Sequence, residues 1–205
     1  MPLQNEPAMT TPELFDIKEE KVSPNAYSDY CFWGGLIPTN FDQLEGLGKK
    51  GVVAFKSFLG PVSPDYIPLT YGQAYEAMEI IKSFGGMAGF HCEDFSMIKA
   101  REKHMKDAGK LTWRDFLDSR TVASEMVATE AVIAIAEELG CKAHICHVSH
   151  PAVADRVAQA QARGVQISAE TCGHYLAFTD EDVVANGALF KCAPPLRDKN
   201  ALEGM

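Results

Sequence analysis

Residues 142–169 read Lys142-Ala-His-Ile-Cys-His147-Val-Ser-His-Pro151-Ala-Val-Ala-Asp-Arg-Val-Ala-Gln-Ala-Gln-Ala162-Arg-Gly164-Val-Gln-Ile-Ser-Ala169. A short, mainly apolar run opens the stretch and predicts a strand over 142–147. Pro151 suits the first turn of a helix, where its missing N–H costs nothing, and that helix is expected over 151–162. Gly164 supplies the stop. A second β-branched run follows over 165–169. Strand, helix and strand in this order form a right-handed crossover unit, and such units build parallel sheets.

The same alternation extends in both directions. Gly51-Val-Val-Ala-Phe-Lys56 and Gly86 to His91 read as strands, with a helix between them over 71–84 carrying Tyr75, Met78, Ile81 and Phe84 on one face. Helices are expected over 95–108 and 121–139, the latter with Thr121 or Ser124 as its cap. A strand is expected over 30–36, a short helix over 41–47, and a last strand over 188–191. About five to six βα units result, whereas a closed (β/α)8 barrel needs eight and about 250 residues. The α/β pattern therefore fits either an open doubly wound sheet or an incomplete barrel.

Composition limits the function. The 205 residues are 46% hydrophobic and 23% charged, enough for one sizeable core and too apolar for wholesale disorder. With 19 basic and 28 acidic residues the net charge is −9, which argues against a nucleic-acid or anionic-membrane partner. No apolar run is long enough to span a bilayer, and the first residues carry no secretory pattern. The cysteines at 31, 92, 141, 146, 172 and 192 form no CxxC pair, which favours free thiols and a reducing cytoplasm. GxGxxG, Walker A and GxSxG motifs are all absent, which removes support for nucleotide-binding and α/β-hydrolase readings.

Potential metal ligands fall where strands are expected to end: Lys56, His91 and His147, with Glu170 and His174 after the next strand. In parallel α/β folds the carboxyl ends of the strands share one face, so these groups converge. Lys56 is flanked by apolar residues, and a buried unpaired ammonium is costly. It is either a snorkelling side chain or an amine of depressed pKa, able to take up CO2 as a carbamate. His91 and His147 are each either satisfied rim residues or ligands. His144 and His147 are three apart, so strict alternation sends them to opposite faces. His147, nearer the strand end, is the chosen ligand, which leaves His144 structural or supporting. Glu170 and His174 are read as groups that orient ligands, or else as a capped turn. The loop Phe190-Lys-Cys-Ala193-Pro-Pro-Leu-Arg197 either presents backbone groups, Ala193 in particular, to a substrate or simply turns a corner.

Five ordered motifs carry a resemblance: Gly51-Val-Val-Ala-Phe-Lys56-Ser-Phe, Phe90-His91-Cys-Glu-Asp94, His144-Ile-Cys-His147-Val-Ser, Glu170-Thr-Cys-Gly-His174-Tyr-Leu and Lys191-Cys-Ala-Pro-Pro-Leu-Arg197. Together they resemble the cyclic amidohydrolases, a group of allantoinases, dihydropyrimidinases or hydantoinases, and dihydroorotases. Tyr30-Cys-Phe-Trp-Gly-Gly-Leu-Ile-Pro and Asp115-Phe-Leu-Asp-Ser-Arg120 resemble the allantoinases in particular, and Met1-Pro-Leu-Gln-Asn resembles the segment after the second barrel strand. Gly173 stands where a proline is usual, and His150 where a second serine is usual.

The resemblance implies a partial (β/α)8 barrel and hydrolysis of a cyclic amide or ureide, most directly allantoin to allantoate, with hydantoinase or dihydropyrimidinase activity as the second reading. It implies two divalent ions, zinc first and cobalt or manganese as alternatives. They would be bridged by a carboxylated Lys56, with His91 and His147 binding one of them. It also implies a homo-oligomer for the intact protein. The family's His-x-His pair is expected before Met1, its general-base aspartate beyond Met205, and its small β-sandwich outside 1–205. On that basis the chain alone is expected to fall short of an enzyme-like rate. An inactive truncated fragment is the reading from another class.

Overall fold

The computed structural model describes residues 5–62 and 66–205. Of the opening segment Met1 to Asn5, all but Asn5 lies outside the described residues. Helix α1 (Pro12–Val22) comes first, capped by the Thr11 hydroxyl with Pro12 in its first turn. Strand β1 (Trp33–Gly35) leads through a 3₁₀ turn (Phe41–Gln43) into α2 (Leu44–Lys50), which stops at Gly51 with a φ of 98°. Next come β2 (Ala54–Phe58), α3 (Tyr71–Ser83), β3 (Met87–His91), α4 (Phe95–Asp107), α5 (Trp113–Ser119) and α6 (Val122–Leu139). Strand β4 (Lys142–Ile145), α7 (Pro151–Ala162), β5 (Ile167–Ala169), α8 (Asp180–Asn186) and α9 (Lys199–Gly204) complete the order.

All four strand pairings are parallel, and the sheet order is β1-β2-β3-β4-β5. Each strand pairs with its sequence neighbours, which is the connectivity of a barrel arc and not of a doubly wound sheet. One sheet face carries Phe55, Ala88, Phe90, Ala143, Ile145 and Ile167. These pack with Leu47, Met78, Ile81, Val132, Ile133, Val153 and Val157 from the helices in one core. Burying each large side chain stabilises the fold by about 1.5–3 kcal/mol.

The opposite face takes the alternate residues. There Trp33 lies across Gly89, where any Cβ would meet the indole at 2.3 Å, and its ring meets that of His144 at 5.7 Å. A smaller cluster of Leu117, Tyr175, Val183 and Leu196 closes the region after the strand ends.

Three expectations change. The run 188–191 is no strand: Gly187–Phe190 forms a 3₁₀ turn, entered through Gly187 at a φ of 67° and closed by the Lys191 N–H on the Ala188 carbonyl. Lys56 lies in the middle of its strand and not at its end, because pairing begins at Ala54 and runs on to Phe58. His147 lies beyond its strand, which ends at Ile145.

Candidate metal centre

The carboxyl ends of β3 and β4 bring two imidazoles together. His91 ends β3 and is 3% exposed. Its Nδ1 lies 3.3 Å from Nε2 of His147. His147 reaches this position because its φ of 44° turns the chain back just past β4. A non-glycine residue in that region is uncommon, and functional sites are where it concentrates. Strict alternation had placed His144 and His147 on opposite faces. The turn at His147 breaks the alternation, so both lie on the face away from the helices: His144 beside Trp33, His147 against His91.

A buried carboxylate fixes the orientation of His91. Its Nε2 lies 2.8 Å from Glu93 Oε2, which also accepts from Arg120 Nη1 at 2.7 Å. Burial alone would raise the Glu93 pKa, but the hydrogen bond from His91 and the Arg120 charge together hold it below the usual carboxylate range. Burial also holds the His91 imidazole below its ordinary pKa, against the pull of Glu93. A neutral ring donating Nε2–H to Glu93 keeps its lone pair on Nδ1, the atom that faces His147. Burial pushes His147 down to about 2, and protonation is opposed further by the neighbouring His91 ring and the Lys56 charge.

Lys56 shares this face. Its Nζ is out of contact with water, has no hydrogen-bond partner and lies 4.8 Å from the centre of the Phe58 ring, which in turn packs on His91. Its charge bears on His91, His147 and Cys146. His147 Nδ1 and His174 Nε2 are likewise buried without partners. The donor set fits a divalent cation. Two imidazole nitrogens 3.3 Å apart match the spacing of two ligands about 2.0–2.1 Å from one tetrahedral ion. The buried amine has no well-formed hydrogen bond among the described residues, a costly state for an ammonium.

The remaining candidates divide. His174 is near enough for its charge to bear on His147, so it belongs to the rim of this group. Glu170 turns to His144, with Oε2 3.9 Å from Nε2, and not to Lys56 or His91. Ala193 is exposed, in a loop anchored by the Tyr175 hydroxyl on the Pro194 carbonyl at 2.7 Å. His150 takes over the serine's place without disruption: it caps α7, its Nδ1 accepting from the Ala152 N–H at 3.2 Å.

Sequence reasoning missed the charged frame behind the histidines. Glu125 Oε2 meets Arg197 Nη2 at 2.9 Å, and Arg197 Nη1 donates to the Arg120 carbonyl at 2.6 Å. Glu93 was visible only as part of the Phe90-His91-Cys-Glu-Asp94 motif. Its spacing of two from His91 was the available signal.

The chain is 38% identical over 206 residues to an allantoinase from Rubrobacter xylanophilus, covering 100% of this chain and 45% of that protein. It is 35% identical over 207 residues to an allantoinase from Solibacter usitatus, covering 99% of this chain and 45% of that protein. The solved L-hydantoinase (dihydropyrimidinase) from Arthrobacter aurescens matches with a TM-score of 0.93 at 27% identity, over 97% of this chain and 44% of that one. A D-hydantoinase (dihydropyrimidinase) from Thermus sp. shares the fold, with a TM-score of 0.84 at 24% identity, over 94% of this chain and 43% of that one. No family model matches the chain. The chain spans about half the length of the curated relatives it matches. With these matches the five parallel strands are an arc of a (β/α)8 barrel, and along its whole length the chain is similar to just under half of an allantoinase and of a hydantoinase.

Proposed function

We propose that the protein hydrolyses a ring C–N bond of a cyclic amide with the help of two divalent cations, zinc first among them, and that its substrate is allantoin, opened to allantoate. The observation that carries the site is the convergence of His91 Nδ1 and His147 Nε2 at 3.3 Å on the sheet face that also holds the unpartnered Lys56 amine. The 38% identity to an allantoinase along the whole chain supports the substrate. The TM-score of 0.93 to an L-hydantoinase supports a second reading, in which the ring is a hydantoin or dihydropyrimidine.

When bound, such cations polarise the ring carbonyl and lower the pKa of an attacking water. His91 and His147 would hold one of them. The Lys56 amine, reacting with CO2 to give a carbamate and releasing a proton, would supply carboxylate oxygens as further ligands. Glu93 keeps the His91 lone pair on Nδ1, and Arg120 keeps Glu93 ionised. The proposed setting is purine breakdown in the cytoplasm. The cysteines, all free, suit a reducing compartment, and among the described residues no helix is long and apolar enough to cross a membrane.

The test uses the full product of the gene, loaded with zinc, cobalt or manganese in bicarbonate and assayed on allantoin, hydantoin and dihydrouracil. Allantoate release should have the highest kcat/KM. A higher value on hydantoin would replace the substrate, and a protein that retains no cation would overturn the reading. Glu93→Gln should weaken cation binding by about 10–100-fold, the usual effect of losing a carboxylate behind a ligating histidine. Competition titration measures this, and ¹⁵N shifts of His91 should show the tautomer no longer fixed. Unchanged affinity would remove Glu93 from the site.

A further inference from the structure

A second group of ligand-type side chains lies on the same sheet face and takes no part in the reading above. His144, Cys146 and Glu170 each offer one donor atom, and these atoms all lie within 4.8 Å of one another. Strand pairing causes the cluster. His144 and Cys146 are two apart, so both project from one side of the chain. In register, His144 stands opposite Ser168, two residues before Glu170. The Glu170 N–H donates to the Ile145 carbonyl at 3.0 Å, and the Val148 N–H donates to the Glu170 carbonyl at 2.7 Å. Glu170 is thereby fixed beside Cys146.

The hydrogen-bonding state of this group points to a ligand. His144 Nδ1 pairs with Ser168 Oγ at 2.8 Å, and the Trp33 ring holds the imidazole edge. Its Nε2 is buried and has no hydrogen-bond partner. The nearest carboxylate oxygen, on Glu170, is 3.9 Å away, too far for a hydrogen bond and about half an ångström wider than two ligands of one tetrahedral ion, so the exposed Glu170 side chain closes in on binding. Cys146 is 5% exposed, whereas the Glu170 side chain is 51% exposed and leaves a route from solvent.

We propose that His144, Cys146 and Glu170 bind one thiophilic divalent cation, of the zinc, cadmium or cobalt class, through one nitrogen, one sulfur and one oxygen, at a site separate from Lys56, His91 and His147. Thiolate and imidazole together select such ions over magnesium or calcium. Binding replaces the thiol proton with the cation, and the proton passes to solvent. The Lys56 ammonium bears on both His144 and Cys146, and a like charge opposes a cation there. The inference stands whether or not the proposed hydrolysis does, since the two sites share no ligand.

Cobalt is titrated into the metal-free full chain while the thiolate-to-cobalt charge-transfer absorption is followed. The proposed Lys56 site contains no sulfur, so that band reports a cysteine thiolate outside it, and the Cys146→Ser variant assigns it. The band should saturate at one equivalent, persist in Lys56→Met and in Cys172→Ser, and vanish in Cys146→Ser. Glu170→Gln and His144→Gln should each weaken it by more than the roughly 10–100-fold typical of losing a supporting partner. No band in the folded wild-type chain, a band that survives Cys146→Ser, or one lost in Lys56→Met would each overturn the proposal. Cadmium NMR on the unmodified protein needs no variant to fold: its shift should report one sulfur ligand, and a shift for none overturns the proposal as well.

Discussion

Arg197→Met is expected to destabilise the chain by about 3–5 kcal/mol, the usual cost of leaving one member of a buried ion pair alone. Arg197 Nη2 meets Glu125 Oε2 at 2.9 Å, Nε donates to Ser149 Oγ at 2.9 Å, and Nη1 donates to the Arg120 carbonyl at 2.6 Å. Glu125 is 1% exposed and also accepts from the Ser149 N–H at 2.8 Å. Methionine fills much of the arginine's volume but leaves the Glu125 charge buried with only Ser149 to answer it. One guanidinium thus ties α6, the turn after β4 and the 191–197 loop together. For a chain of this size the loss corresponds to a drop of about 6–20 °C in melting temperature. The double variant Glu125→Leu/Arg197→Met should recover part of it, because removing both charges is far cheaper than removing one. Thermal and urea melts measure both. A single-variant loss below about 1 kcal/mol would mean that water reaches Glu125.

Lys56→Met should move two properties in opposite directions. Affinity for the cation held with His91 and His147 should fall more than about 100-fold, beyond the effect of losing a supporting partner. Stability of the metal-free chain should rise by about 1–3 kcal/mol, since a buried polar group without a partner is removed. Its Nζ is buried without a well-formed hydrogen bond among the described residues, with the Phe58 ring at 4.8 Å and the Cys146 thiol beside it. Methionine is near in shape and has no such need. Residues kept for function at a cost in stability give this opposed pattern. Metal content after dialysis and the urea midpoint decide it. Retained metal would remove the bridging role, and a loss of stability would show that the ammonium has a partner after all.

The parts legible in sequence were those set by local chemistry. The helix at Pro151–Ala162 is where Pro151 and Gly164 place it, and Thr121 caps α6 as its position before an Ala- and Glu-rich run suggests. Strand limits were less legible. Val52 and Val53 continue the apolar run, but Val53 is 47% exposed and pairing starts at Ala54, because an apolar run does not say where a neighbouring strand begins. Helix α8, of seven residues, is too short to show a period. The convergence of His91 with His147 was readable from strand order, whereas the turn that aims His147 was not. Only its backbone reveals why His144 stands on the same side. The frame of Glu93, Arg120, Glu125 and Arg197 joins residues far apart in sequence, where no local pattern reaches.

The sheet's neighbour-to-neighbour order also bears on how the chain acquires its shape. Loop closure grows costlier with the length of chain enclosed. Most strand pairs enclose a single main helix, but β3 and β4 enclose α4, α5 and α6 together. By enclosed length that joint carries the largest closure cost of the four pairings, between a β1-β2-β3 lobe and a β4-α7-β5 lobe. His91 stands on one lip of the joint and His147 on the other. A ligand held by both would act as a clasp across the costliest closure, favouring the joined state by an amount that grows with the logarithm of its concentration over its dissociation constant.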